Sequence, residues 1–83
     1  MNRIAWTQDS VAGIPLKRSV GRVGPVEVGN VSYDGGTRFW VCATPLQDDA
    51  WGFGTTEEAA KAALELWLRS WLENFRTFFE PVP

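Results

Sequence analysis

The chain of 83 residues contains no histidine and a single cysteine, Cys42. The absence of histidine removes the commonest general base and metal ligand, and one thiol cannot form an internal disulfide. No apolar run approaches the roughly 20 residues of a membrane-spanning helix. The amino terminus also lacks the basic-then-apolar pattern of a secretory signal. These absences predict a cytoplasmic protein without a membrane span.

Groups that could carry chemistry are equally scarce. The acidic pairs Asp48-Asp49 and Glu57-Glu58 suit turn polarity and helix capping better than metal binding. Gly35-Gly36 is not followed by the Lys and Ser or Thr of a phosphate-binding loop. Cys42 has no histidine to activate it and is expected to be a half-buried strand residue. We therefore expect no enzyme, no catalytic residues, no metal and no cofactor.

Basic residues are few, and the formal net charge is −2. This balance disfavours broad binding to nucleic acid, which needs clustered Lys and Arg. The one basic cluster comprises Lys17, Arg18 and Arg22. It has two interpretations. It is either a patch for nucleic acid or an acidic partner, or a solvated strand whose charges protect it against aggregation.

The clearest signal in the chain is a long amphipathic helix over residues 55–79. Thr55 and Glu58 have the spacing of a capping box, and alanines follow them. No Gly or Pro interrupts the stretch before Pro81. The apolar positions recur every three or four residues, whereas charges of alternating sign mark the opposite face. The apolar face comprises Ala60, Ala63, Leu64, Trp67, Trp71, Phe75 and Phe78, and it is widened by Leu68, Leu72 and Phe79. The charged face comprises Glu57, Lys61, Glu65, Arg69, Glu73, Arg76 and Glu80.

The first half of the chain reads as strands and turns. We expect residues 1–20 to form an edge strand or an ordered arm. An irregular stretch is expected at residues 11–16, where Gly and Pro interrupt the apolar residues. Gly24-Pro25 predicts a turn. Residues 26–33 predict a strand with a bulge at Gly29-Asn30, because the alternation slips there.

Asp34-Gly35-Gly36 is the strongest hairpin signal. A loop of three residues would place Val31 opposite Phe39, with both residues and Val41 on the helix side of the sheet. Arg38, Trp40 and Cys42 would then lie on the face away from the helix. Residues 50–53 predict a further short strand. Together these elements predict an α+β fold: an antiparallel sheet of three to four strands packed against one long C-terminal α-helix. We expect one domain over 1–83, with an arm or edge strand at 1–20, the sheet at 21–54 and the helix at 55–79.

The predicted helix is longer than the sheet beneath it. Residues 56–79 would span about 36 Å, whereas strands of ordinary length span about 17–20 Å. The overhanging half carries Trp71, Phe75 and Phe78. Residues 1–20 could cover it, the helix could break near Ser70 or Asn74 and fold back, or a second chain, identical or foreign, could bury it.

The segments 39–41 and 51–63 resemble the end of a three-stranded sheet entering a helix in plant APETALA2-type DNA-binding domains and in the arm-binding domains of phage-type integrases. The resemblance covers about residues 26–68 and implies the same sheet-and-helix order. In those families the sheet recognises DNA with Arg and Trp side chains. By position, Arg38 and Trp40 correspond to them. The strands here depart from the pattern, since acidic residues outnumber Arg38 along them.

In size, acidity and lack of catalytic residues the chain is also similar to small phage-encoded inhibitors, including anti-CRISPR proteins. The sequence therefore predicts a non-enzymatic protein-binding module, whose most concrete version is an inhibitor of a host complex in the host cytoplasm. Its expected partner-binding residues are Arg38, Trp40, Trp71, Phe75 and Phe78. The alternatives are a DNA-binding sheet that uses Lys17, Arg18, Arg22, Arg38 and Trp40, and a structural homodimer subunit.

Overall fold

A computed structural model describes residues 4–79 of the chain. Five strands form one antiparallel sheet in chain order, and helix α1 packs against β3, β4 and β5. The predicted α+β class and antiparallel sheet are confirmed, but the sheet has five strands rather than three to four. The elements are β1 (Ala5–Val11), β2 (Ile14–Val23), β3 (Val26–Asp34), β4 (Phe39–Ala43), β5 (Trp51–Gly54), α1 (Glu57–Glu73) and α2 (Arg76–Phe79).

The additional strand comes from the N-terminal part of the chain. β1 and β2 form a hairpin, so the irregular stretch predicted at residues 11–16 is wrong. Ala12 and Gly13 connect the strands with φ values of 52° and 81°. Two consecutive positive φ angles suit the right-handed twist of a two-residue hairpin. Alanine seldom adopts such angles, so a hairpin was not predicted at these residues.

The turn predicted at Gly24-Pro25 is present between β2 and β3. The bulge predicted in β3 is also present, but one residue earlier than expected. Gly21 pairs with Gly29 and Arg22 pairs with Glu27, so Val28 is the extra residue on β3. Both Val28 and its neighbour Gly29 consequently approach α1.

The register between β3 and β4 corrects the predicted faces of the sheet. The loop has four residues, 35–38, and Val31 pairs with Cys42 rather than with Phe39. Arg38 closes this loop in the left-handed region at φ 64°, and its amide donates to the Asp34 carbonyl at 2.7 Å. The displacement is an odd number of residues, so every β4 side chain changes face.

Two groups of buried side chains form the core between the sheet and α1. Val31, Cys42, Ala60 and Leu64 form the first. Ile4, Val28 and Leu68 form the second, flanked by half-buried Trp67 and Trp71. The predicted apolar stripe of the helix therefore provides the core as far as Leu68.

The charged side of α1 is less solvated than the sequence predicts. The buried Ser19 hydroxyl donates to Glu57 Oε2 at 3.1 Å. Lys61 pairs with Glu57 at 3.2 Å and lies 5.3 Å from the ring centroid of Trp6. These contacts fasten the first turns of α1 to β1 and β2. Farther along, Arg69 pairs with Glu65 and Arg76 with Glu73, whereas Glu80 lies outside the described residues.

The helix also ends earlier than predicted. α1 stops at Glu73, and Asn74 is its C-cap. The Asn74 side chain donates to the Trp71 carbonyl at 3.0 Å, and Phe75 N donates to the Leu72 carbonyl at 3.0 Å. Asparagine competes for backbone hydrogen bonds in this way and is a poor helix former. A break near Asn74 was one of the alternatives for the overhang.

The N-cap of α1 lies one residue later than the sequence predicts. Thr56, not Thr55, is the N-cap, and its hydroxyl accepts from the Ala59 amide at 3.1 Å. Three residues after Thr56 stands Ala59, which cannot reach back to the cap amide, so no capping box forms. The first-turn carboxylates Glu57 and Glu58 still face the positive end of the helix dipole.

Replacing the cap provides a direct check of this boundary. Thr56→Ala is expected to lower the free energy of unfolding by about 1 kcal/mol, since one amide of the first turn loses its acceptor. Urea denaturation measures the change. Thr55→Ala is the matched control and should change stability by less than about 0.5 kcal/mol. A larger loss for Thr55→Ala than for Thr56→Ala would contradict the observed cap.

Candidate functional site

The structure does not bring Arg38 and Trp40 together on an outer sheet surface. Trp40 lies on the helix side of β4, half-buried against the first core group. Its ring meets Tyr33 edge to face, with centroids 5.6 Å apart. Arg38 stands exposed on the β3–β4 loop. The predicted Arg/Trp surface is therefore wrong, because the odd register turns Trp40 inward.

The basic residues of β2 do not form a common face either. Lys17 and Arg18 are adjacent in an extended strand, so their side chains point to opposite faces. Lys17 Nζ lies 4.7 Å from the ring centroid of Tyr33, and Arg18 forms an ion pair with Asp9. Arg22 stands opposite Glu27 in the sheet. Neighbouring acidic residues thus offset two of the three cations.

The end of α1 and the short α2 gather the other predicted residues. Trp71 is half-buried and stacks on Trp67, with centroids 5.7 Å apart. Phe75 meets the opposite side of Trp71 at 4.8 Å, and Phe78 and Phe79 contact one another at 5.1 Å. We call the exposed set Leu72, Phe75, Phe78 and Phe79 the C-terminal patch; their exposed fractions range from 42% to 81%.

An apolar groove of about 250 Å³ adjoins the C-terminal patch. Its floor is formed by the buried Val28 and Leu68, and its walls by side chains from the β2–β3 turn, the β4–β5 connection and α1. Ile4 packs together with Val28 and Leu68 of this floor, so it contacts the middle of α1. The lining residues are Val23, Val26, Val28, Leu46, Leu68, Trp71 and Leu72.

A second apolar surface lies on the sheet face away from α1. We call it the outer aromatic face; it comprises Phe39, Val41, Trp51 and Phe53. Phe53 lies 5.3 Å from Phe39 and 6.2 Å from Trp51, measured between ring centroids. The sequence assigned Phe39 and Val41 to the helix side, and only the correct loop length would have revealed this face.

Reactive groups contribute little to either surface. Burial raises the pKa of the Cys42 thiol, which therefore stays protonated at neutral pH. A hydrogen bond from the Gly36 amide, and then one from Thr37, lowers the pKa of Asp34 in the β3–β4 loop. Among residues 4–79, no three His, Cys, Asp or Glu side chains are grouped to hold a metal ion. No helix in that range is long and apolar enough to cross a membrane.

Known proteins add no constraint on the role of these surfaces. No family model, curated protein or solved structure matches the chain. The surfaces themselves can offer apolar area and aromatic rings. The groove beside the C-terminal patch adds a concave site into which a side chain of another molecule can insert.

Proposed function

We propose that the chain is a non-enzymatic protein-binding module that contacts its partner through the C-terminal patch. One observation carries the proposal: Leu72, Phe75, Phe78 and Phe79 are exposed together at the edge of an apolar groove. Scattered apolar residues are ordinary on protein surfaces, but contiguous patches of several hundred Å² mark interaction sites. Phenylalanine is also enriched at the centres of interfaces.

The exposed area of the C-terminal patch limits the binding free energy that the patch can provide. The three phenylalanines expose the equivalent of about two aromatic side chains, on the order of 300–500 Å². Burying this area would provide about 7–12 kcal/mol at ~25 cal/mol per Å². Association itself costs about 4–15 kcal/mol. A stable complex therefore also needs the groove, with a partner side chain seated between Val26 and Leu72.

In its most concrete form, the proposal is a phage-type inhibitor, similar to anti-CRISPR proteins, that blocks a host complex by occupying its surface. Such a role requires a folded scaffold and an adhesive surface but no catalytic group. The small size and the net charge of −2 support this version. Nucleic-acid binding is less well supported, since Trp40 packs against the helix side and the basic residues of β2 lie on different faces.

Affinity capture with matched variants tests the proposal. The double variant Phe75→Ser/Phe78→Ser is expected to weaken capture of the partner at least about tenfold, since it removes two aromatic anchors. Ile14→Ser is the control, because Ile14 is also highly exposed but lies at the distant β1–β2 turn. Capture is measured by quantitative mass spectrometry, and affinity is then measured with the purified partner.

Circular dichroism should show that both variants remain folded, since the replaced side chains are exposed. A partner bound equally well by the wild type and the double variant would exclude the C-terminal patch as the contact surface. Loss of capture with Ile14→Ser would place the contact at the other end of the sheet.

A further inference from the structure

The two edges of the sheet differ in how they are protected. β1 has an irregular register between Gln8 and Ser10 and carries Asp9, which is paired with Arg18. Bulges and charges of this kind block the addition of another strand. β5, at the other edge, pairs regularly with β4. Its sequence Trp-Gly-Phe-Gly has no charge and no proline, and within residues 4–79 no further strand pairs with its outer edge.

The helix side of β5 itself leaves little room for side chains at its two glycines. Gly52 and Gly54 lie on the helix side of β5. A Cβ atom on Gly54 would lie 2.7 Å from Ala60 N, and one on Gly52 would lie 3.2 Å from Cys42 Sγ. α1 therefore lies close above β5. A strand added here fits best if its helix-facing positions are Gly or Ala.

We propose that the occupant of this edge is β5 of a second copy, paired antiparallel about a twofold axis. With Gly52 opposite its own counterpart, Trp51 lies opposite Phe53 of the second copy. The helix-facing positions of each strand are then Ala50, Gly52 and Gly54, all small. The rings all stay on the outer aromatic face, and the two sheets join into one of ten strands. This interface is separate from the C-terminal patch and goes beyond the proposed function.

The starts of the two helices do not lie opposite each other in this arrangement. Gly54, above which α1 begins, stands opposite Ala50 of the second copy. The two helix starts are therefore displaced by four residues, or about 13 Å along the strands. On the side of α1 toward β5, Ala59 lies near Gly54 and Ala63 lies near Trp51 and Gly52. One turn farther along that side, Leu66 is 69% exposed and available to the facing helix.

The area of the interface sets its strength. Trp51 and Phe53 are 68% and 56% exposed, on the order of 200–300 Å² per copy. Even when the areas of Leu66 and of the strand backbone are added, the total surface buried in the dimer lies below the ~1,200 Å² of a standard stable interface. We therefore expect a weak, reversible dimer, because interfaces of this size belong to the transient class.

Sedimentation equilibrium from about 5 to 500 µM tests the proposal. The wild type should shift from monomer to dimer across this range. Phe53→Lys should weaken dimerisation at least about tenfold, because it places a charge on the edge strand. Phe39→Lys is the control for stacking of outer aromatic faces, and Phe78→Ser the control for association through the C-terminal patch. Both should dimerise like the wild type.

Hydrogen exchange then reports on the backbone. Amides of residues 51–54 should exchange more slowly as the concentration rises, while those of β1 should not. A wild type that stays monomeric throughout overturns the proposal. The proposal is also overturned if Phe39→Lys or Phe78→Ser abolishes the dimer as fully as Phe53→Lys does. A dimer whose formation leaves the amide exchange of β5 unchanged overturns it as well.

Discussion

Replacing Leu64 with Ala is expected to lower the free energy of unfolding by about 3–5 kcal/mol, the upper part of the range for a buried leucine. Leu64 is 2% exposed and lies at the centre of the first core group. Its Cδ2 approaches Gly29 so closely that a Cβ there would lie 2.4 Å away. The cavity left by the substitution would be bounded by β3 and β4 backbone, which cannot collapse easily.

This loss is large relative to the whole domain. At about 0.05–0.15 kcal/mol per residue, a chain of this length has a stability of roughly 4–12 kcal/mol. Guanidinium denaturation monitored by tryptophan fluorescence measures the change. Leu66→Ala is the control on the same helix, because Leu66 is exposed; it should cost less than about 0.5 kcal/mol. A Leu64→Ala loss below about 1 kcal/mol would be incompatible with this core.

Replacing Gly54 with Ala is expected to destabilise the protein by about 2–3 kcal/mol, as overpacking of a tight contact does. The added methyl group would lie 2.7 Å from Ala60 N and 2.9 Å from Ala59 C. Both are backbone atoms in the first turn of α1, so the steric clash can be relieved only if the helix moves away from β5. The φ of Gly54 is not positive, and the cost is therefore steric rather than conformational.

Gly35→Ala is the matched control for this substitution. A Cβ on Gly35 would meet no atom within 4 Å, and its φ is also not positive. Its replacement should be neutral or stabilise slightly, since alanine restricts the unfolded chain. Thermal unfolding of the two variants side by side measures the difference. Equal melting temperatures would show that α1 does not press on β5.

Periodicity and turn composition were sufficient to locate the strands and the helix of the second half of the chain, but not the two ends of α1. The α1 stripe of Ala60, Leu64 and Leu68 follows from the spacing of apolar residues, and β5 follows from its aromatics between turns. The hairpin at Asp34-Gly35-Gly36 was also predictable. The N-terminal hairpin was not, because Ala12 provides a positive φ that alanine rarely adopts.

The predicted orientation of the β4 side chains depended on the number of residues in the β3–β4 loop. The faces of β4 follow from the parity of the β3–β4 loop, and Arg38 in a left-handed conformation added a residue that composition does not reveal. Trp40 was therefore assigned outward and Phe39 inward, the reverse of the structure. Phe75 and Phe78 were chosen as candidates from the helix periodicity, which does not depend on loop length, although α1 ends before them. Val23, Val26 and Leu46 were missed, since their proximity to α1 depends on the tertiary fold.

The second core group also bears on the order in which the chain can fold. It joins Ile4 to Leu68, so it closes a loop of more than sixty residues, whereas each hairpin of the sheet closes over a few. Loop-closure entropy favours the short closures first. During synthesis the strands can pair as each emerges, but their apolar face stays uncovered until α1 has been translated. The interval before α1 docks is therefore the period in which the apolar face of the sheet is most exposed to other chains.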